Sequence, residues 1–270
     1  MATAKKAAER PGLVLVVEDS HVQAKIICRH LAGLSTFDAV AAGSMAEAAA
    51  VAQREGDRLL AAVVNMNLPD APDGEAVDML MASGVPTIVL TAIFKEDVRE
   101  ALLAKRVTDY VVKENMAALD DLVAIVNRLY RNMGVTALVV DDEAVARAMM
   151  RKMLETQRYN VLEAAGGQEA LDLVRSRPDI RLVVTDYHMP GMDGFELTRE
   201  LRREKKRSQL AILGVSGVDD RALPARFLKL GADDFLLKPF TAEEFAQRAN
   251  HAVELIEMIA ELNDCRQKLA

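Results

Sequence analysis

Leu182-Val183-Val184-Thr185-Asp186-Tyr187-His188-Met189-Pro190-Gly191-Met192-Asp193-Gly194 is the stretch on which the fold turns. An apolar run stops at an aspartate, a turn rich in proline and glycine follows, and a helical pattern opens at Phe195. A short apolar run bounded by turn residues reads as a buried parallel strand. In an open α/β sheet, ligands bind outside the carboxyl ends of the strands. Asp186 is therefore a candidate site residue by position, although a lone aspartate at a strand end is more often a turn or cap residue.

The same alternation extends to both sides. Residues 13–17, 38–41, 60–64, 87–90 and 110–112 read as strands. Helical patterns follow each of them, the first with Val22, Ile26, Ile27, His30 and Leu31 on one side. Ser44 with Glu47 forms a capping box at a helix start, and Gly134 ends the first set of units as a helix C-terminal glycine. The succession then restarts, with strands at 137–140, 161–163, 182–185, 212–215 and 235–237. Helices fall at 145–155, 167–175, 195–204 and 220–230, and a last one starts at the cap Thr241, with Glu244 completing a second box. Strands spaced by helices of this length predict parallel sheets. The repeat of roughly 120–125 residues is domain-sized and too long for a solenoid unit. The expected fold is α/β: two tandem, doubly wound, five-stranded parallel-sheet domains of flavodoxin-like type. Residues 1–11 would be a flexible tail, 12–133 and 135–253 the domains, and 254–270 an extension of the last helix.

Composition narrows the function. Of 270 residues, 51% are hydrophobic, enough for packed cores, and the net charge is −7. Residues 1–134 carry 14 Lys and Arg against 18 Asp and Glu, and residues 135–270 carry 20 against 23. Neither half is basic, which argues against direct nucleic-acid binding. The basic run at 202–207 reads as a solvated helix end and loop. The two cysteines, Cys28 and Cys265, suggest neither a disulfide framework nor a metal cluster and fit a reducing cytoplasm. No stretch has the length and apolarity of a membrane span.

In the second half, Asp141, Asp142, Asp186, Ser216 and Lys238 all stand at carboxyl ends of predicted strands, so the sheet can bring them together. Clustered carboxylates call for a cation, and a hard, oxygen-ligated ion such as Mg²⁺ (or Mn²⁺) suits them. A hydroxyl and an ammonium beside them suit a phosphoryl group. The set describes a carboxylate that can be phosphorylated, with Asp186 as nucleophile.

Both halves resemble the receiver domains of two-component response regulators. The resemblance rests on the acidic pair Asp141/Asp142, on Asp186 before His188-Met189-Pro190, on Ser216-Gly217, and on Lys238-Pro239 with Phe235 three residues earlier. It implies that Asp141, Asp142, Asp186 and the main-chain carbonyl of His188 hold the metal. Ser216 and Lys238 would hold the phosphoryl oxygens, Phe235 would be a switch aromatic that turns inward on phosphorylation, and Lys238-Pro239 would be cis. It further implies a sensor histidine kinase or phosphotransfer protein as phosphohistidine donor, and an unknown downstream protein or effector domain as target. The His188 side chain reads as a pocket-rim residue. In the first half Glu18, Asp19, Thr91, Tyr110 and Lys113 follow the pattern, but Asn65 stands where Asp186 stands in the repeat. An amide is a poor nucleophile, so this half is expected to be a non-phosphorylatable regulatory or dimerisation module. A rival is that Asp70 or Asp73 substitutes for the missing acceptor.

Leu255, Met258, Leu262, Cys265 and Leu269 step by 3, 4, 3 and 4, about two heptads of a coiled-coil seam. This row predicts a protruding helix that forms a homodimer or leads to an effector. If a further domain follows, a diguanylate cyclase is one alternative. Two other classes fit less well. A phosphohydrolase of the haloacid dehalogenase type needs Asp-x-Asp after its first strand. A flavodoxin-like nucleotide binder needs a glycine-rich loop there, and neither half has one.

Overall fold

The computed structural model describes residues 12–34, 37–92, 96–113, 117–217 and 223–268. The expected tail, the predicted start of the helix at 220 and the last heptad position, Leu269, lie outside them. The chain divides into two compact units, Met1–Arg131 and Asn132–Ala270.

The first unit is built from β1 (Leu13–Val17), α1 (His21–Leu34), β2 (Asp38–Ala42), α2 (Met45–Glu55), β3 (Leu59–Asn65), α3 (Glu75–Ala82), β4 (Thr87–Thr91), α4 (Glu96–Lys105), β5 (Asp109–Val112) and α5 (Ala117–Asn132). The second repeats the order with β6 (Thr136–Val140), α6 (Ala144–Thr156), β7 (Asn160–Ala164), α7 (Gly167–Ser176), β8 (Ile180–Asp186), α8 (Gly194–Glu204), β9 (Ala211–Ser216), α9 (Leu223–Leu230), β10 (Asp234–Leu237) and α10 (Ala242–Lys268). Each unit holds one five-stranded sheet, ordered β2-β1-β3-β4-β5 and β7-β6-β8-β9-β10, with every pairing parallel. The two sheets share a finer detail: the register between first and third strands slips once, at Leu13/Val14 and again at Thr136/Ala137. The expected fold class is the one found.

The central strands β1, β3, β6 and β8 are almost wholly buried, because helices cover both faces of a parallel sheet. Alternate residues enter alternate cores. Leu138, Val140 and Val183 join one apolar cluster, while Ala137, Val139, Leu182 and Val184 join the other. Side chains of a parallel sheet are thus used up on packing, and polar chemistry is left to the strand ends.

Four local expectations change. On α1 the inner face is Ala24, Ile27 and Leu31, whereas Val22 and Ile26 are exposed, at 68% and 45%. The five residues read as one side span more of the helix than the sheet can cover. Glu47 does reach back, but to the Gly43 N–H (2.7 Å) and not to that of Ser44, while Ser44 Oγ accepts from Glu47 N at 3.2 Å. Gly134 is not in the left-handed conformation of a helix-ending glycine; the turn is closed by Val135 N–H to Asn132 O at 2.9 Å. Arg202 is no solvated side chain. It donates to the carbonyls of Gly231 (2.6 Å) and Leu210 (2.8 Å) and to the buried Asp233 carboxylate (2.6 Å), tying α8 to the loop before β10. Among the described residues no helix is long and apolar enough to cross a membrane.

Candidate functional site

The carboxyl ends of β6, β8, β9 and β10 form one edge of the second sheet. β6 ends beside Asp141, β8 in Asp186, β9 in Ser216, and β10 delivers Lys238. The Lys238 N–H bonds to the Ser216 carbonyl at 2.8 Å, which extends the β9–β10 pairing by one rung and holds the lysine in register. Its ammonium then bridges the two acids, at 2.8 Å from Asp141 Oδ2 and 2.7 Å from Asp186 Oδ1. The second Asp186 oxygen accepts from the His188 N–H at 2.7 Å, and Asp141 Oδ1 accepts from the Glu143 N–H at 2.8 Å. Asp141, Asp186 and Ser216 are buried, while Asp142 and the His188 side chain are exposed.

These contacts set the charges. Burial pushes the Asp186 carboxyl above its ordinary value, and the Lys238 ammonium and the His188 N–H oppose that push. Burial works against the Lys238 ammonium as well, but hydrogen bonds to Asp141 and Asp186 outweigh it and hold the lysine above its usual range. The lysine is the counter-ion of the buried carboxylates, and such a pair is stable only while complete.

The acceptor loop needs a glycine at one point. A Cβ on Gly194 would run into the Asp186 carbonyl oxygen, so only glycine lets α8 start this close to the end of β8. Asp193 then caps α8, its carboxylate accepting from the Glu196 N–H at 2.8 Å. Lys238-Pro239 is a cis bond, as the resemblance implies.

Phe235 is buried, at 8% exposure. Its ring packs 5.1 Å from that of Phe227. Phe227 lies 4.5 Å from Phe195, which lies 4.7 Å from Tyr187, the residue after Asp186. Arg226 covers Phe195 at 4.6 Å from the ring centre. Gly214 makes the room, since a Cβ there would fall 2.8 Å from Phe227 and 3.0 Å from Phe235. Sequence reading misses Tyr187, Phe195, Phe227 and Gly214 as a group, because four separate elements contribute them. It also misses Arg147, which donates to the Asp141 carbonyl at 2.6 Å.

The first domain builds the same edge with different chemistry. Lys113 is held in register in the same way, its N–H bonding to the Thr91 carbonyl at 2.8 Å. Its ammonium reaches buried Glu18 Oε2 at 2.6 Å but finds the amide oxygen of Asn65, at 3.2 Å, where Lys238 finds a carboxylate. Asn65 Nδ2 donates to Asp19 Oδ1 (3.2 Å) and to the Asn67 carbonyl (3.0 Å), so the amide is satisfied inside its own loop. Thr91 is buried at the end of β4, and Tyr110 is partly buried on β5 against the apolar core. Asp70 is engaged away from Lys113. Its carboxylate accepts from the N–H groups of Met45 (3.1 Å) and Ala46 (3.3 Å), at the start of α2. Asp73 is exposed in the loop before α3.

As a metal site, the second edge offers hard oxygen donors of the type that magnesium prefers. Asp141 and Asp186 already converge on one cation, the ammonium of Lys238. Among the described residues no three His, Cys, Asp or Glu side chains are grouped to hold a metal ion. Asp142, the third carboxylate of the expected set, is exposed.

A 2-1-3-4-5 parallel sheet with an acidic pair, an aspartate, a hydroxyl and a lysine along its carboxyl edge defines a signal-receiver architecture. Residues 137–250 match the response regulator receiver domain family. The chemotaxis protein CheY homolog of Campylobacter jejuni is 35% identical over 112 residues, 41% of this chain and 86% of that protein. The two-component response regulator ORR11 of Oryza sativa is 35% identical over 102 residues, 38% of this chain and 69% of its own length. The probable transcriptional regulator ycf27 of Porphyridium aerugineum is 35% identical over 127 residues, 47% of this chain, which spans about half (51%) of that relative. A solved structure described as a two-component system response regulator/GGDEF domain protein is 40% identical, with a TM-score of 0.79, covering 91% of this chain and 99% of that one. The chain belongs to the response regulator receiver family.

Proposed function

We propose that the protein is a two-component signalling module in which Asp186 is the phosphoacceptor and the first domain is a chemically silent receiver. The observation that carries this reading is the contrast at one position. The two edges share the lysine and the acidic pair, but only the second places a carboxylate, Asp186, on the lysine. An Asp186 oxygen attacks the phosphorus of a phosphohistidine on a sensor kinase or phosphotransfer protein. The P–N bond breaks as the P–O bond of the acyl phosphate forms. Lys238 stays beside the new phosphoryl oxygens, and the Ser216 hydroxyl, at the end of the neighbouring strand, would hold them as well. Asp141, Asp142, Asp186 and the His188 carbonyl would hold Mg²⁺, which would neutralise the charge on the oxygens in flight. The new phosphate adds roughly 1.5–2 negative charges beside β9 and β10. The surface of α9, β10 and α10 is the output face, and its target is a downstream protein or effector domain. The first domain, with Asn65 in place of an acid, serves as a regulatory or interaction module, and the protein works in the cytoplasm.

The test is to incubate the full chain with Mg²⁺ and acetyl phosphate, and separately with beryllofluoride, and to map the modified residue. Modification at Asp186 alone, lost in Asp186→Asn and on chelation of the metal, is the expected result. Modification at position 65, 70 or 73, or turnover of many phosphate esters, would sink the reading.

A second reading concerns the whole protein. A solved relative that matches along nearly all of this chain is described as a two-component system response regulator/GGDEF domain protein. On that ground the two domains would be the control portion of a larger regulator. Mass analysis of the protein as isolated from its source distinguishes this from a stand-alone pair.

A further inference from the structure

Asp141 is held at both its side chain and its main chain. Lys238 and the Glu143 N–H take its two carboxylate oxygens, and its carbonyl accepts from Arg147 Nη1 at 2.6 Å. Arg147 lies in the first turn of α6 with a side chain only 17% exposed. Behind it stands Glu163 on β7, with Oε1 3.9 Å from Arg147 Nε and Oε2 3.4 Å from Arg151 Nη1. This clamp joins α6 to β7 at the point where β6 ends. The first domain does not repeat it. The Ala24 N–H meets the Ser20 carbonyl as the Arg147 N–H meets that of Glu143, and Ala41 pairs with Val16 as Glu163 pairs with Val139. Alanine thus stands in place of both the arginine and the glutamate, and Cys28 in place of Arg151. The clamp accompanies the edge that puts a carboxylate on its lysine.

We propose that Arg147 is the positioning residue of the acidic pair: held by Glu163, it fixes the direction of the Asp141 carbonyl and thereby the place from which Asp142 reaches the divalent cation. The peptide group is planar, so the Asp141 carbonyl and the Asp142 N–H turn as one unit. A guanidinium on that carbonyl therefore sets where Asp142 leaves the strand. Asp141 and Asp186 are buried and held by Lys238, whereas Asp142 is exposed, so its place depends on the main chain. The charge of Arg147 has the wrong sign for a direct role. A cation beside a cation site repels the ion, and Coulomb's law alone makes loss of the arginine tighten binding. Geometry accounts for it instead. The guanidinium presents several donors in a fixed fork, so one side chain serves the carbonyl and the carboxylate together. The inference rests on the reading of this edge as a Mg²⁺ site and not on the identity of the phosphoryl donor.

Titration of the full chain with Mg²⁺, followed through the amide shifts of Asp142 and Tyr187, reads the site without any turnover. Arg147→Met keeps an apolar stem and removes the charge. It should weaken Mg²⁺ binding about tenfold, the low end of what loss of an outer-shell partner costs. Arg147→Lys returns the charge and one donor. It should recover part of the loss, whereas returned repulsion alone would deepen it. Glu163→Gln should weaken binding in the parent chain and change nothing in Arg147→Met, because it acts through the arginine. Salt at about 0.15 M screens the direct effect of the glutamate on the ion. If Arg147→Met loses its helical circular dichroism, the other two variants decide, and parent-like binding in both would overturn the proposal. So would unchanged or tighter binding by a folded Arg147→Met, or equal losses from Glu163→Gln with and without the arginine. Absence of any Mg²⁺-dependent shift in the parent chain would sink the reading of this edge as a metal site, and the proposal with it.

Discussion

The two domains are one architecture with two electrostatic outcomes. At the second edge a lysine lies between two buried carboxylates, Asp141 and Asp186, at 2.8 and 2.7 Å. At the first a lysine lies between one carboxylate and one amide, Glu18 and Asn65, at 2.6 and 3.2 Å. The second arrangement keeps excess negative charge in a buried place. The first closes on itself, since both the oxygen and the nitrogen of the Asn65 amide are hydrogen-bonded. An amide in place of a carboxylate therefore leaves neither end of the Asn65 side chain without a partner. The sheet is indifferent to the exchange because its strands meet through backbone bonds and apolar faces.

Exchanging the two residues tests this contrast most severely. Asp186→Asn should reduce acetyl-phosphate labelling of the chain to background. Adding Asn65→Asp to that variant should bring labelling back at position 65, but slowly. Glu18 is one methylene longer than its counterpart Asp141 and already engages Lys113, so the groups are displaced. A misplacement of about 1 Å costs about 10²-fold in rate. Peptide mapping with timed quenching reads both effects. Full-speed labelling at position 65 would show that Asn65 alone separates the domains.

A second difference lies behind the edge. Where the second domain has Gly214, Phe227 and Phe235, the repeat places Val89, Leu102 and Tyr110 in the first. Phe227 is fully buried and touches Phe195 and Phe235. Phe227→Ala should destabilise the second domain by about 3–5 kcal/mol and leave the first unchanged, seen as faster amide exchange in β8–β10 only. Gly214→Val imports the residue of the first domain. Its Cβ would meet the Phe227 ring at 2.8 Å and the Phe235 ring at 3.0 Å, so one ring must leave. The expected cost is about 1–3 kcal/mol. Phe235 should become exposed, which the NMR shifts of its ring protons would report.

What can be read from the chain follows the same physics. Strand ends are legible because a buried parallel strand is a continuous apolar run, and the residue that breaks the run is the one at the edge. Asp186, Asn65, Ser216 and Lys238 are found that way, and the fold follows from the alternation around them. Helix faces are less legible: α1 carries apolar residues on more than one face, and composition does not say that Val22 and Ile26 look outward. The aromatic group is not legible at all. Tyr187, Phe195, Phe227 and Phe235 are dispersed along the chain, and only the sheet order and the small volume of Gly214 join them. Arg202 escapes a reading from neighbours in sequence because its partners, Leu210, Gly231 and Asp233, come from later loops.

Asp70 gives the finest contrast between the domains. In the first, the N–H groups that open α2 are all met by side chains: Met45 and Ala46 by Asp70, and Glu47 by Ser44. In the second, the equivalent helix α7 has Gly166 as its N-cap residue and no side-chain cap. The space beside Gly167 is filled by Met192, whose carbonyl a Cβ on that glycine would strike at 2.6 Å. The longer turn of the first domain thus brings a carboxylate to a helix N-terminus, where its charge is favoured. The second domain's turn packs close instead. Asp70→Ala should cost the first domain about 1 kcal/mol, the usual loss for a removed cap. Asp70→Asn, which keeps one of the two accepting oxygens and drops the charge, should recover part of it. Urea denaturation followed by exchange at the amides of residues 45–47 reads both. Equal losses in the two variants would mean that the single hydrogen bond an amide can keep contributes nothing without the charge.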